Sequence, residues 1–100
     1  MPTFETINRF RKDFARLPVA DRVRFERVVK ERFVADLAKD TFRAGLRVQA
    51  IQGADRIFEM TWAPNGRATF QYGDEQVRGE PHIIWRRVGT HDVFDRPPGP

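Results

Sequence analysis

One hundred residues, 40% hydrophobic and 12% aromatic with nine phenylalanines, suffice for one ordinary folded domain and leave too little chain for a second. The absence of cysteine excludes disulfides and thiolate metal sites, and two histidines, His82 and His91, are too few for a closed structural zinc site. The formal net charge of +4 is uneven: residues 1–43 carry 11 Lys and Arg against 7 Asp and Glu, while residues 44–100 carry seven of each. Such a basic excess favours polyanions through counterion release, although interleaved Arg and Glu also describe any solvated helix face. No apolar run approaches the roughly 18 residues of a membrane span, and Met1-Pro2-Thr3-Phe4 lacks the core of a signal peptide. A cytoplasmic protein without a membrane partner is expected.

In chain order, Thr3 to Glu5 reads as a short strand. Ile7, Phe10, Phe14 and Leu17 then form one stripe of an amphipathic helix, with Arg9, Arg11, Lys12, Asp13 and Arg16 on its other face. Pro18 ends that helix and suits the first turn of a second, from Val19 to about Lys39, whose stripe is Phe25, Val29 (with Val28), Phe33 and Leu37. After Gly45 the period becomes two. Leu46, Val48 and Ala50 alternate with Arg47 and Gln49; Phe58, Met60 and Trp62 with Ile57, Glu59 and Thr61; Ala68, Phe70 and Tyr72 with Arg67, Thr69 and Gln71. Residues 73–81 read as a long polar hairpin loop. His82 to Val88 is a last strand, apolar on both sides at Ile83, Ile84 and Trp85 and therefore more central. Asp95 to Pro100, with three prolines, is expected to be a disordered tail behind a domain of residues 1–94.

The turn at Pro64-Asn65-Gly66 offers a choice of register. A two-residue Asn65-Gly66 loop sets Trp62 against Thr69. A three-residue loop sets Trp62 against Ala68, Met60 against Phe70 and Phe58 against Tyr72, matching apolar with apolar, with Gly66 as a left-handed residue. The second is preferred, and it places Glu59 opposite Gln71, about 13 Å along the ladder from Arg67. The helices need an apolar partner and are expected to cover the face of Leu46, Val48, Phe58, Met60, Trp62, Phe70 and Tyr72. The opposite face then shows Arg47, Gln49, Glu59, Thr61, Arg67, Thr69 and Gln71. Such a face is either an ordinary wet side of a sheet or a cationic tray for a polyanion.

Particular residues go further. Phe10-Arg11-Lys12-Asp13-Phe14-Ala15-Arg16-Leu17-Pro18 resembles the opening helix of RelE/ParE-type toxins, which commonly ends in Leu-Pro. Arg67-Ala68-Thr69-Phe70 resembles their Arg-x-x-aromatic strand, and Arg87-Val88-Gly89-Thr90-His91-Asp92-Val93-Phe94 their closing strand and turn. The resemblance spans roughly residues 4–94 and rests on the order and spacing of these pieces. It implies an α+β fold, with two N-terminal helices on one face of a small, mostly antiparallel twisted sheet, in agreement with the patterning. It also implies a toxin of a two-gene pair with a cognate antitoxin as partner. RelE-like members cleave mRNA on the ribosome without metal or cofactor; ParE-like members inhibit DNA gyrase.

By that resemblance Arg67 matches the arginine that stabilises the scissile phosphate, His91 the acid–base position after the glycine, and Glu59 a charged catalytic position on its strand. The residue types suit the reaction. Attack by an RNA 2′-OH needs a base, an acid for the leaving oxygen, and cations for charge building on phosphorus. Arg47, Arg86 and Arg87 are candidate further phosphate contacts, and alternation leaves open which of Arg86 and Arg87 faces outward. Phe94 departs from the pattern, standing where many RelE-like members have a catalytic tyrosine. A ParE-like inhibitor, or an inactive relative that still binds an antitoxin, is therefore a rival expectation. So is the bland reading, in which His91 bonds its loop and Glu59 is a surface cross-strand partner.

Overall fold

The computed structural model describes residues 1–90. His91 and Phe94, together with the expected tail at 95–100, lie outside the described residues. A five-stranded mixed sheet with the order β1-β5-β4-β3-β2 is built from β1 (Thr3–Thr6), β2 (Gln49–Ala50), β3 (Ile57–Ala63), β4 (Gly66–Gly73) and β5 (His82–Thr90). The edge strand β1 runs parallel to β5, and every other pairing is antiparallel. Two helices carry the chain from β1 at one edge of the sheet to β2 at the other: α1 (Asn8–Arg16), and α2, which starts as Val19–Val28, passes through a π-helical turn at Val29–Phe33 and ends as Val34–Ala38. The architecture is the α+β layering expected from the patterning.

The π turn has a visible cause. The buried stripe of α2 is Phe25, Val28, Phe33 and Leu37, so one step spans five residues rather than the four expected from Val29. A π turn, with its i→i+5 bonds, absorbs the extra residue and keeps both halves facing the sheet. Beyond α2 the chain reverses at Asp40, which takes a left-handed φ of 56°. Asp36 holds the reversal by accepting hydrogen bonds from Arg43 through the backbone N–H at 2.9 Å, Nε at 2.7 Å and Nη2 at 2.8 Å.

Between sheet and helices lies an aromatic core centred on Trp85, whose ring centroid is 5.3 Å from Phe25, 5.2 Å from Phe33, 5.5 Å from Phe70 and 6.1 Å from Phe10. Ile83 and Val88 complete the inward side of β5, and Met60, Ala68 and Phe70 supply that of β3 and β4. Tyr72, expected in this core, is 44% exposed; it stands near the end of β4 with its ring edge-on to Phe58 and Phe70. The strand expected from Leu46 shrinks to Gln49–Ala50, because a 3₁₀ turn at Ala44–Leu46 drops Leu46 into the core and Arg47 leaves it in a left-handed conformation.

The β3–β4 hairpin corrects the expected register. Phe58 pairs with Phe70, Met60 with Ala68 and Thr61 with Arg67, and the turn is the two residues Pro64-Asn65 between Ala63 and Gly66. A bulge between Thr61 and Ala63 leaves Trp62 without a cross-strand partner, and its indole lies over Gly66 instead. A Cβ on Gly66 would sit 2.5 Å from Trp62 Cε2, and Trp62 Nε1 donates to the Arg67 carbonyl at 3.0 Å. Gly66 is needed for this close approach; its φ is not left-handed. The true pairing differs from the expected one by two residues. An even slip leaves each side chain on its expected face while changing its neighbours.

Candidate active site on the open face of the sheet

Alternation sends Ile57, Glu59 and Thr61 of β3, and Arg67, Thr69 and Gln71 of β4, to the face away from the helices. The corrected register decides what meets there. Glu59 pairs with Thr69, and Arg67 with Thr61, so Glu59 and Arg67 are diagonal neighbours rather than four residues apart. A diagonal of roughly 7–8 Å is within reach of long side chains. Arg67 Nε lies 3.6 Å from Glu59 Oε1, with the two side chains 16% and 26% exposed. That separation is an ion pair, too long for a strong hydrogen bond.

Arg67 is further held by the turn beside it. Its Nη1 donates to Gly66 O at 3.0 Å and, more weakly, to Ala63 O and Pro64 O at 3.4 Å each. The guanidinium is thus aimed by the hairpin backbone and by Glu59 together. Thr69, at the centre of the face, is walled in by its neighbours and buried.

On β5 a second bulge separates the two arginines by their partners rather than by face. Thr69 pairs with Arg87 and Phe70 with Trp85, so Arg86 is the extra residue. Arg86 Nη1 donates to Gln71 Oε1 at 2.6 Å, which places its guanidinium on the open face. Arg87 is bound to helix α1: its Nε lies 2.9 Å from Asp13 Oδ2 and its Nη2 3.2 Å from Oδ1. Asp13 also accepts from the Val88 backbone N–H at 3.4 Å. Arg47, expected beside these groups, is exposed and stands off the sheet, in the turn before β2. The structure therefore gathers Glu59, Arg67, Gln71 and Arg86, ties Arg87 to the helix layer, and leaves Arg47 apart. β5 ends its described course at Thr90, which pairs with Gly66, while Gly89 pairs with Arg67.

Gln71 and Asp13 were not singled out in the sequence as partners of the arginines, and no local pattern marks them. The same is true of His82. It is buried at the β1–β5 junction, with Nδ1 2.7 Å from Thr3 Oγ1 and Nε2 2.7 Å from Glu5 Oε1. Its partners lie 79 and 77 residues away, beyond any local signal. Among the described residues no three His, Asp or Glu side chains group as a metal site would need. Nor, among the described residues, is any helix long and apolar enough to cross a membrane.

No protein-family model matches the sequence, and no curated protein matches it. Solved structures do. The fold is that of the RelE-type toxins. A copper-bound mutant toxin from Helicobacter pylori superposes with a TM-score of 0.66 at 19% identity, covering 94% of this chain and 99% of that one. YafQ in the E. coli DinJ–YafQ toxin–antitoxin complex gives 0.65 at 16% identity, over 93% and 96% of the two chains. The RelB–RelE antitoxin–toxin complex from Methanococcus jannaschii gives 0.61 at 21% identity, over 93% and 98%.

Proposed function

We propose that this chain is the toxin of a toxin–antitoxin pair and that it cuts mRNA on the open face of its sheet, as a metal-independent endoribonuclease assisted by the ribosome. The observation that carries this reading is the pairing of Glu59 with Arg67 by the β3–β4 register, with Arg86 on the same face. Likeness in fold to toxins solved with their antitoxins supports it, and a cognate antitoxin is the partner it entails. In the proposed reaction the Glu59 carboxylate takes the proton of a 2′-OH, whose oxygen attacks the adjacent phosphorus. The 5′-oxygen leaves with a proton supplied by His91, giving a cyclic phosphate and a 5′-OH end. Arg67 bears the charge that builds on the phosphoryl oxygens, and Arg86, braced by Gln71, holds a neighbouring phosphate. Phe94 supplies no hydroxyl, so His91 and Glu59 carry both proton transfers.

Expression of the protein should arrest growth and create new 5′ ends in cellular RNA, both lost in Arg67→Ala and His91→Ala proteins that remain folded. A His91→Ala protein that still cuts RNA overturns the acid–base assignment. Growth arrest with intact mRNA overturns the nuclease reading altogether. The last outcome belongs to the second reading, a ParE-like inhibitor of gyrase or another target, or a catalytically silent relative that binds an antitoxin. The observation favouring it is that Arg67 and Arg87 are both already engaged by carboxylates of the chain itself.

A further inference from the structure

On the open face the cation meant for phosphate already has an anion. Glu59 Oε1 stands 3.6 Å from Nε of Arg67, and both side chains are largely shielded from water, where solvent screening of the pair is reduced. Nη1 of the same guanidinium is turned to the carbonyls of Ala63, Pro64 and Gly66. Arginine grips phosphate through two parallel N–H bonds. With Nη1 on the turn carbonyls and Nε facing a carboxylate, that fork is largely spoken for. Among the described residues no comparable carboxylate engages Arg86, which is bonded to the neutral amide of Gln71.

We infer that Glu59 serves the free protein as a built-in stand-in for phosphate, latching Arg67 until a phosphodiester displaces it. This rests on the proposed RNA-cutting site and adds a regulatory role for Glu59 to its role as base. An incoming phosphate exchanges for the carboxylate at Nε, and the displaced carboxylate is left beside the ligand that evicted it. Weak or transient polyanions fail to open the pair, so Glu59 lowers affinity for RNA in general while being required for the chemistry. Binding and cleavage should then move in opposite directions when the charge of Glu59 is removed.

The test is binding of a short single-stranded 2′-O-methyl RNA, which cannot be cut, to the full chain at low salt, read by fluorescence anisotropy. Glu59→Gln should bind about tenfold more tightly than the unaltered protein and fail to cleave an unmethylated RNA. Glu31→Gln, which removes an exposed charge from α2, should change affinity by no more than about twofold, so the gain is not one of net charge. Arg67→Ala should weaken binding, and Glu59→Gln should bring no gain in that background. Equal or weaker binding by Glu59→Gln overturns the latch, as does a gain that persists without Arg67. If Arg67→Ala binds as well as the unaltered protein, the proposed site itself fails and the latch with it. Arg67→Lys takes the place of Arg67→Ala if the latter does not fold, and circular dichroism decides that.

Discussion

Asp36 accepts three hydrogen bonds from Arg43, and these hold its pKa down from 3.8 to about 2, the guanidinium bonds contributing most and the Arg43 backbone N–H next. A carboxyl whose pKa is lower in the folded chain than in the unfolded one adds stability above the unfolded value, and that stability is lost as pH falls through the folded value. The window is therefore from about pH 4 downward to about pH 2. Asp36→Asn should lower the urea midpoint at neutral pH, and its deficit should narrow as pH falls from about 4 to about 2. A deficit of the same size throughout would show that the charge is irrelevant. Gly66 acts on the same scale through volume. Gly66→Ala forces a methyl against the Trp62 indole, and overpacking of this kind typically destabilises by about 1–3 kcal/mol. Urea unfolding followed by tryptophan fluorescence measures it, and a variant as stable as the parent would show that the indole can move aside freely.

At the scale of elements, the π turn in α2 carries one residue more than a regular helix would need between Val28 and Phe33. Removing an exposed residue within it, Lys30, leaves a four-residue step, so a plain α-helix keeps Phe25, Val28, Phe33 and Leu37 on one face. Deleting Lys30 should preserve a cooperative thermal transition in circular dichroism. Deleting Arg27, also exposed but in the regular part of α2 between Phe25 and Val28, rotates Val28, Phe33 and Leu37 by about one residue step, 100°, relative to Phe25. That chain should lose the transition. If both deletions behave alike, the π turn is not what sets the phase of the stripe. The β3–β4 hairpin makes the complementary point for strands: the bulge at Trp62 and the short Pro64-Asn65 turn set which residues meet across the ladder.

For the whole molecule, the two layers divide the labour. The surplus of positive charge lies in residues 1–43, which form β1 and the helical layer, whereas the candidate chemistry sits on the opposite side of the sheet. Arg87 and Asp13 tie the layers together across 74 residues of chain, and the Thr3–His82–Glu5 contacts fasten the N-terminal strand to β5. The open face is carried on the strands and backed by the aromatic core around Trp85. A site built on strands rather than loops is held in register by the ladder itself.

Much of this was written in one dimension. The periods of 3.6 and 2 identify the two helices and the three long strands, Pro18 separates the helices, and alternation assigns Met60, Ala68 and Phe70 to the core and Glu59, Arg67 and Gln71 to the other face. These are local regularities of the chain, and each residue carries them alone. What met across the sheet was decided by tertiary structure. The match of apolar pairs favoured a register two residues from the real one, because every even slip satisfies alternation equally. The bulge at Trp62, whose indole seats on Gly66, goes with the short turn to a different register, and with it Glu59 moves beside Arg67. Likewise Arg86 and Arg87 were indistinguishable until the fold gave one to Gln71 of β4 and the other to Asp13 of α1. Side-chain type and period are properties of neighbours in sequence, whereas proximity across strands depends on packing that no single segment encodes.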